Sequence, residues 1–173
     1  MSQELLKTIR KNPNYKSFLA IVETVTARID IEGANKEALA LHAGRLSRAL
    51  HGEKRYSPKA IVDANMQDIS NRARLVEIRV KHDKQLSLLK SAIDAMRRHI
   101  STEYSDDLRD FSTAEQRRAF VDRVLKASVQ LLEEGEAMIE MLDALIKDLD
   151  QTSHAMRHIV ECLKLVMDKG RGI

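Results

Sequence analysis

Apolar residues recur at alternating steps of three and four from Val121 to Val166, which is the spacing of one face of an α-helix. A further apolar stripe repeats every seven residues from Leu125 and widens that face. Such a face is wider than a two-stranded coiled coil needs, so we expect more than one neighbouring helix to cover it. The packing or oligomer-interface residues predicted on it are Leu131, Met138, Leu142, Leu145, Leu149, Met156, Ile159 and Leu163.

A second heptad pattern predicts another long helix over residues 58–100. The pair Ser57-Pro58 marks its start, because serine can cap a helix and proline fits the first helical position. The apolar stripe runs from Val62 to Val80 and resumes out of phase at Leu86. This shift, between Lys81 and Asp83, resembles a coiled-coil stammer.

Leu75 and Ile78 lie away from the Val62–Val80 stripe. They predict a second apolar face that needs a partner of its own, and both belong to the expected oligomer or packing interface. Residues 75–80 also alternate as a short β-strand would. The sequence offers no second strand to pair with them, so we expect helix there.

The first 56 residues predict a head of three short helices. Pro13 should stop or kink the first helix, because its ring cannot continue the helical hydrogen-bond pattern. We expect the second helix to end at Gly33 and the third to begin after a cap at Asn35. The fold class is therefore all-α: a long antiparallel helical hairpin, resembling a coiled-coil bundle, at residues 57–173, with the head at residues 1–56.

The last helix is expected to open with a capping box, formed by Ser112 and Glu115. Gly135 and residues 150–153 are the two places where this helix could break, and the sequence leaves both open. Without a break, glycine at position 135 permits close approach of a neighbouring helix, at a cost of about 1 kcal/mol relative to alanine.

The composition supports the all-α class. Two prolines, six glycines and 3% aromatic residues are poor material for a turn-rich β protein. The single cysteine, Cys162, excludes an intramolecular disulfide and fits a reducing compartment. No apolar run reaches the length of a membrane span, and the first residues lack a signal-peptide pattern, so we expect neither membrane binding nor secretion.

Basic residues are concentrated in the first hundred positions, which carry 19 Lys and Arg against 11 Asp and Glu, whereas residues 101–173 carry 10 against 15. These halves either neutralise each other, within a subunit or between subunits, or serve an anionic ligand, and both interpretations stay open. Scarce aromatic residues argue against a nucleic-acid binder that stacks bases. The candidate nucleic-acid contacts are Arg45, Arg48, Lys54, Arg55, Arg72, Arg79, Lys81 and Lys84.

Asp150, His154, His158 and Cys162 follow each other at four-residue steps and suggest metal ligation. The ends of this row lie about 18 Å apart on a helix, so the four cannot surround one ion, and we interpret them as polar contact surface. The carboxylates of residues 133–140 fit a solvated helix face, since catalytic carboxylates need a pocket. The sequence contains no phosphate-binding loop and no nucleophile motif. We therefore expect no enzyme activity and no cofactor.

The run Met156-Arg-His-Ile-Val-Glu-Cys-Leu-Lys-Leu165, which follows a long amphipathic helix and precedes Gly170, resembles the C-terminal helix of phage recombination mediators of the UvsY type. Members of that family are small helical proteins that form rings and help load a recombinase onto single-stranded DNA. The resemblance covers the C-terminal helix only, and the N-terminal head departs from the family. It implies a bacteriophage origin.

Two functions are consistent with these patterns. The first is a non-catalytic, oligomerising structural or assembly protein of a bacteriophage particle, which packs against copies of itself and against other proteins. The alternative is a UvsY-like oligomeric mediator that binds single-stranded DNA and a recombinase. Either function places the protein in the host cytoplasm or in the virion.

Overall fold

The computed structural model describes residues 2–49 and 58–170, with side chains over 3–44, 61–162 and 164–165. No strand occurs in these ranges, which confirms the all-α class. The long helices α4 and α7 pack together, while the hairpin or coiled-coil form expected for them stays a prediction. The helices are α1 Ser2–Lys11, α2 Pro13–Thr26, α3 Ile31–Ala49, α4 Pro58–Glu103, α5 Ser105–Leu108, α6 Ala114–Val124 and α7 Lys126–Gly170.

Local signals set the start of α2 but not the start of α3. Asn12 caps α2, because its side-chain oxygen accepts a hydrogen bond from the Asn14 amide at 2.8 Å, and the break expected at Pro13 is confirmed. α3 already begins at Ile31, so the predicted helix end at Gly33 and the predicted cap at Asn35 are wrong. Ala34 and Ala38 are buried, and this packing of the first turns outweighs the helix-ending tendency of glycine.

Helix α4 runs without interruption through residues 75–83, so the prediction of helix rather than strand for residues 75–80 is confirmed. The buried positions, however, do not follow the Val62–Val80 stripe. They form one row along the helix: Ile61, Asp68, Asn71, Leu75, Ile78, His82, Leu86, Leu89, Ile93, Met96 and Ile100. The shift at Lys81–Asp83 is therefore not a stammer, since the apolar pattern changes from an exposed face of α4 to its buried face there.

The final helical region begins and breaks at positions other than those predicted. Thr113, not Ser112, caps α6, with the Gln116 amide donating to its hydroxyl oxygen at 3.1 Å, and the Gln116 side chain in turn accepts from the Ser112 amide. The break lies at Leu125, which has φ −99° and ψ 9°. α7 continues through Gly135 and residues 150–153.

Contacts divide the chain into two compact units. Unit 1 comprises Met1–Ile31 and Lys81–Ala137, and unit 2 comprises Glu32–Val80 and Met138–Ile173. The boundary that the sequence suggested, between residues 56 and 57, stays a prediction.

Unit 1 has an apolar core that draws on all of its helices. The hydroxyl of Tyr15 donates to the carbonyl of Val124 at 3.4 Å, beside the break between α6 and α7, and Asn12 donates to the Tyr104 hydroxyl at 2.9 Å. These contacts tie α1 and α2 to the C-terminal half of the unit. Its buried apolar residues include Ile9, Phe18, Val25, Leu86, Leu89, Ile93, Met96, Ile100, Leu108, Phe120, Val121 and Leu132.

Unit 2 combines an apolar core with ion pairs between α4 and α7. Arg72 binds Asp150 and Arg79 binds Asp143, each through its Nε at 2.6 Å. A later position on α4 therefore contacts an earlier position on α7, so the two helices run in opposite directions in this unit. Its buried apolar residues are Ala34, Ala38, Ile61, Leu75, Ile78, Met138, Leu142 and Leu149.

Candidate interaction surfaces

The α4 stripe, which we define as Val62, Met66, Ile69, Ala73, Val76 and Val80, is a largely exposed apolar row in unit 2, in which Val76 is half-buried. The exposed fractions of Val62, Met66, Ile69 and Val80 are 58%, 65%, 52% and 56%. An α-helix advances about 100° per residue, so this row lies roughly 160° around the helix from the buried row of α4. The stripe thus has helix-packing periodicity, and nothing within the described part of the chain covers it.

Charged residues of opposite sign border the two sides of the α4 stripe. Asp63 and Glu77 follow the stripe on one side, and Arg72 and Arg79 follow it on the other. This is the arrangement that flanks the core positions of a coiled coil.

The bordering arginines already have partners on α7. Arg72 donates two hydrogen bonds to Asp150, at 2.6 and 3.2 Å, and this contact holds the pKa of the Asp150 carboxyl below its usual value. The same hydrogen bonds and charge attraction raise the pKa of Arg72. Arg79 binds Asp143 in the same bidentate way. Both arginines therefore help to fix α4 against α7.

Half of the ten residues of the predicted packing interface are buried within the chain. Leu75, Ile78, Met138, Leu142 and Leu149 are buried, so the face of Leu75 and Ile78 is covered by the chain and needs no separate partner. The apolar face of α4 that is left open is the α4 stripe. Of the others, Leu131, Leu145 and Met156 are half-buried, Ile159 is exposed, and the Leu163 side chain lies outside the described residues.

The candidate nucleic-acid contacts fall into three groups. The side chains of Arg45 and Arg48 and the whole of Lys54 and Arg55 lie outside the described residues. Arg72 and Arg79 form the ion pairs with α7. Lys81 and Lys84 are exposed, and no described acceptor contacts either ammonium group.

The row from Asp150 to Cys162 shows contacts other than metal ligation. Asp150 binds Arg72, His158 lies 3.6 Å from the Glu161 carboxylate, and Cys162 is an exposed free thiol. Within the described residues, no three His, Cys, Asp or Glu side chains come together as a metal site would require. None of the described helices has both the length and the apolar character to cross a membrane.

No protein-family model, curated protein or solved structure matches the chain. The sequence pattern identified the α4 stripe but did not predict its exposure, because Asp68 and Asn71 interrupt the row that is buried. Their spacing with Leu75 and Ile78 was the available signal, since these four positions also recur at helical steps of three and four.

Proposed function

We propose that this chain is a non-catalytic helical hairpin protein that assembles by pairing its α4 stripe with the same stripe of a second copy. The observation that carries the proposal is the exposure of four large apolar side chains, Val62, Met66, Ile69 and Val80, at heptad spacing. Exposed apolar surface with this regularity marks an interaction site more often than an ordinary solvated face. A second copy is the occupant that supplies the same spacing.

The energetics favour a moderate, concentration-dependent association. Each of these side chains is about half exposed, so covering all eight in a pair contributes about 6–12 kcal/mol. Association itself costs on the order of 4–15 kcal/mol in lost translational and rotational freedom. The two quantities are of similar size, and the pair should therefore exchange with the monomer.

The bordering charges do not set the direction of the pair. In a parallel coiled coil, Arg72 of one copy comes opposite Glu77 of the other and Arg79 comes opposite Lys84, because these positions flank the core five residues apart. In an antiparallel pair, flanking positions of the same kind meet, which brings arginine to arginine. Each direction therefore brings like charges together, and within the chain Arg72 is already paired with Asp150 and Glu77 with Arg74.

The resemblance of the C-terminal helix to UvsY-type phage proteins supports a bacteriophage origin for the chain. We propose a structural or assembly component of a bacteriophage, acting through protein packing in the host cytoplasm or the virion. Further copies and other particle proteins would be its partners.

The test is the solution mass of the Met66→Asp/Ile69→Asp variant, measured by sedimentation over a concentration series. The wild type should show a concentration-dependent dimer and the variant a monomer, because two carboxylates would be buried in each pair. A control variant, Ala144→Asp/Gln151→Asp, changes exposed positions of α7 and should keep the dimer. Circular dichroism verifies that both variants remain helical. A wild type that is monomeric at about 1 mM would reject the proposal, as would a variant that retains the dimer.

The second candidate is the nucleic-acid mediator, which the exposed and unpaired Lys81 and Lys84 favour. If they contact phosphates, single-stranded DNA should bind at low salt, and Lys81→Ala/Lys84→Ala should reduce the dependence of log affinity on log salt by about two phosphate contacts. Lys7→Ala/Lys16→Ala, at exposed positions of α1 and α2, is the matched control. Absence of DNA binding at low salt would reject this candidate.

A further inference from the structure

A surface cleft of about 490 Å³ lies in unit 1, between the C-terminal end of α4, the short helix α5 and helix α6. Its lining includes four arginines and one aspartate, so the lining residues alone sum to +3. The four arginines come from three separate segments of the chain. They are Arg97 on α4, Arg109 just after α5, and Arg117 and Arg118 on α6.

Two of these arginines are compensated by carboxylates. Arg97 donates to a single oxygen of Asp122, at 3.1 and 2.9 Å, and it also lies 3.4 Å from Asp94. Arg109 forms an ion pair with Asp106 at 3.2 Å. Asp122 therefore neutralises Arg97 and holds its guanidinium against the wall of the cleft.

The other two arginines have no carboxylate partner among the described residues. The Nε of Arg117 donates to the backbone carbonyl of Phe111 at 3.3 Å, which positions the guanidinium without neutralising it and leaves both terminal nitrogens available. Arg118 makes no hydrogen bond or ion pair to any described group. Both side chains are exposed, and together they offer adjacent guanidinium donors to an anion in the cleft.

We propose that this cleft binds a small phosphorylated molecule through Arg117 and Arg118. Guanidinium groups match the oxygens of a phosphate in a bidentate geometry, and the pair can hold a doubly charged group. The hydroxyls of Ser101 and Ser105, which also line the cleft, supply further donors.

The size of the cleft indicates more than inorganic phosphate alone. Small-molecule sites have volumes of about 300–1,000 Å³, and the 490 Å³ here leaves room beside a phosphate for further atoms. Leu108 and Val121 form its apolar wall, against which a non-polar part of such a ligand can pack. This site lies wholly within unit 1 and does not depend on pairing of the α4 stripe.

The test is calorimetric titration of the full chain at low ionic strength with pyrophosphate and with inorganic phosphate as probes. Pyrophosphate should bind to the wild type, and Arg117→Ala/Arg118→Ala should weaken its binding at least tenfold. Arg10→Ala/Arg98→Ala removes the same charge from exposed positions outside the cleft and should change the affinity less than threefold. Inorganic phosphate should bind more weakly than pyrophosphate, because it presents fewer oxygens to the arginines.

Arg117→Lys/Arg118→Lys tests whether binding depends on the shape of the guanidinium group or only on its charge. It also supplies a milder substitution in case the alanine variant does not fold. It keeps the positive charge but loses the bidentate contact, so binding should be intermediate between the wild type and the alanine variant. Equal losses in the cleft and control variants would mean non-specific charge attraction and would overturn the proposal. A wild type that binds neither probe would overturn it as well.

Discussion

Units 1 and 2 share the helices α4 and α7 but use the apolar residues of α4 in opposite ways. In unit 1 the heptad from Leu86 to Ile100 is buried, whereas in unit 2 the heptad from Val62 to Val80 is largely exposed. The two stretches look alike as patterns, so an apolar heptad identifies a helix that packs but does not say against what. The difference lies in what occupies the opposite face of each stretch.

The buried face of α4 in unit 2 is partly polar, so the polar groups on it need hydrogen-bond partners. The Asn71 side chain donates to the carbonyl of Leu41 at 3.3 Å and accepts from Gln67 at 3.0 Å. Burial of such an amide requires partners, and here Gln67 on α4 and the Leu41 carbonyl on α3 provide them. The apolar stripe is left on the outside, where none of the described residues covers it.

The largest expected effect is the difference in stability loss between truncating a buried isoleucine of α4 and truncating an isoleucine of the α4 stripe. Ile93 is 0% exposed and Ile69 is 52% exposed. Ile93→Ala should lower the free energy of unfolding by about 2–5 kcal/mol, because it leaves a cavity. Ile69→Ala should change it by less than about 0.5 kcal/mol in the monomer. Urea unfolding at a concentration below the dimer range measures both, and comparable losses would contradict the contrast between the units.

A smaller effect is expected from the two helical glycines, one in each unit. A Cβ at Gly135 would clash with the buried Leu86 side chain, whereas a Cβ at Gly44 would meet nothing within 4 Å. Gly135→Ala should therefore destabilise the protein by about 1–2 kcal/mol, the cost of overpacking less the gain in helix propensity. Gly44→Ala should stabilise it by up to about 1 kcal/mol.

A double-mutant cycle with Leu86→Ala tests the cause of the Gly135 effect. If the clash is responsible, Gly135→Ala should cost less in the Leu86→Ala background than in the wild type. Additive losses in urea unfolding would point instead to a cause other than the contact with Leu86.

The smallest expected effect concerns the ion pair between Arg72 and Asp150 in unit 2. The lowered pKa of Asp150 means that the pair stabilises the fold above the pKa of the unfolded carboxyl, near 4, and that this contribution is lost as the pH falls through the folded pKa. Asp150→Asn should reduce stability at pH 7 by less than about 1 kcal/mol, since the pair is exposed.

The gap between wild type and Asp150→Asn should close in unfolding measurements at pH 3. Asp63→Asn, at an exposed position of α4, is the control and should show little difference from the wild type at either pH. If the difference in unfolding free energy between the wild type and Asp150→Asn grew at low pH, the pair with Arg72 would not be stabilised by the ionised carboxylate.

The sequence alone determined the features that depend on local geometry and periodicity. These are the all-α class, the break at Pro13 and the buried heptad from Leu86 to Ile100, whereas the predicted Ser57 cap of α4 lies outside the described residues. Each follows from a short-range rule, because proline lacks an amide donor and an apolar row at helical spacing must be covered.

Only the tertiary structure decided which face of α4 is buried in unit 2. The choice depends on contacts such as Arg72 with Asp150 and Arg79 with Asp143, whose partners lie 78 and 64 positions apart in the chain. The tertiary structure also places Arg97 of α4 and Arg117 and Arg118 of α6 around one cleft. The periodicity of either helix alone does not predict that arrangement. Periodicity specifies that a face is apolar, but the partner on the other side is set by packing across the whole fold.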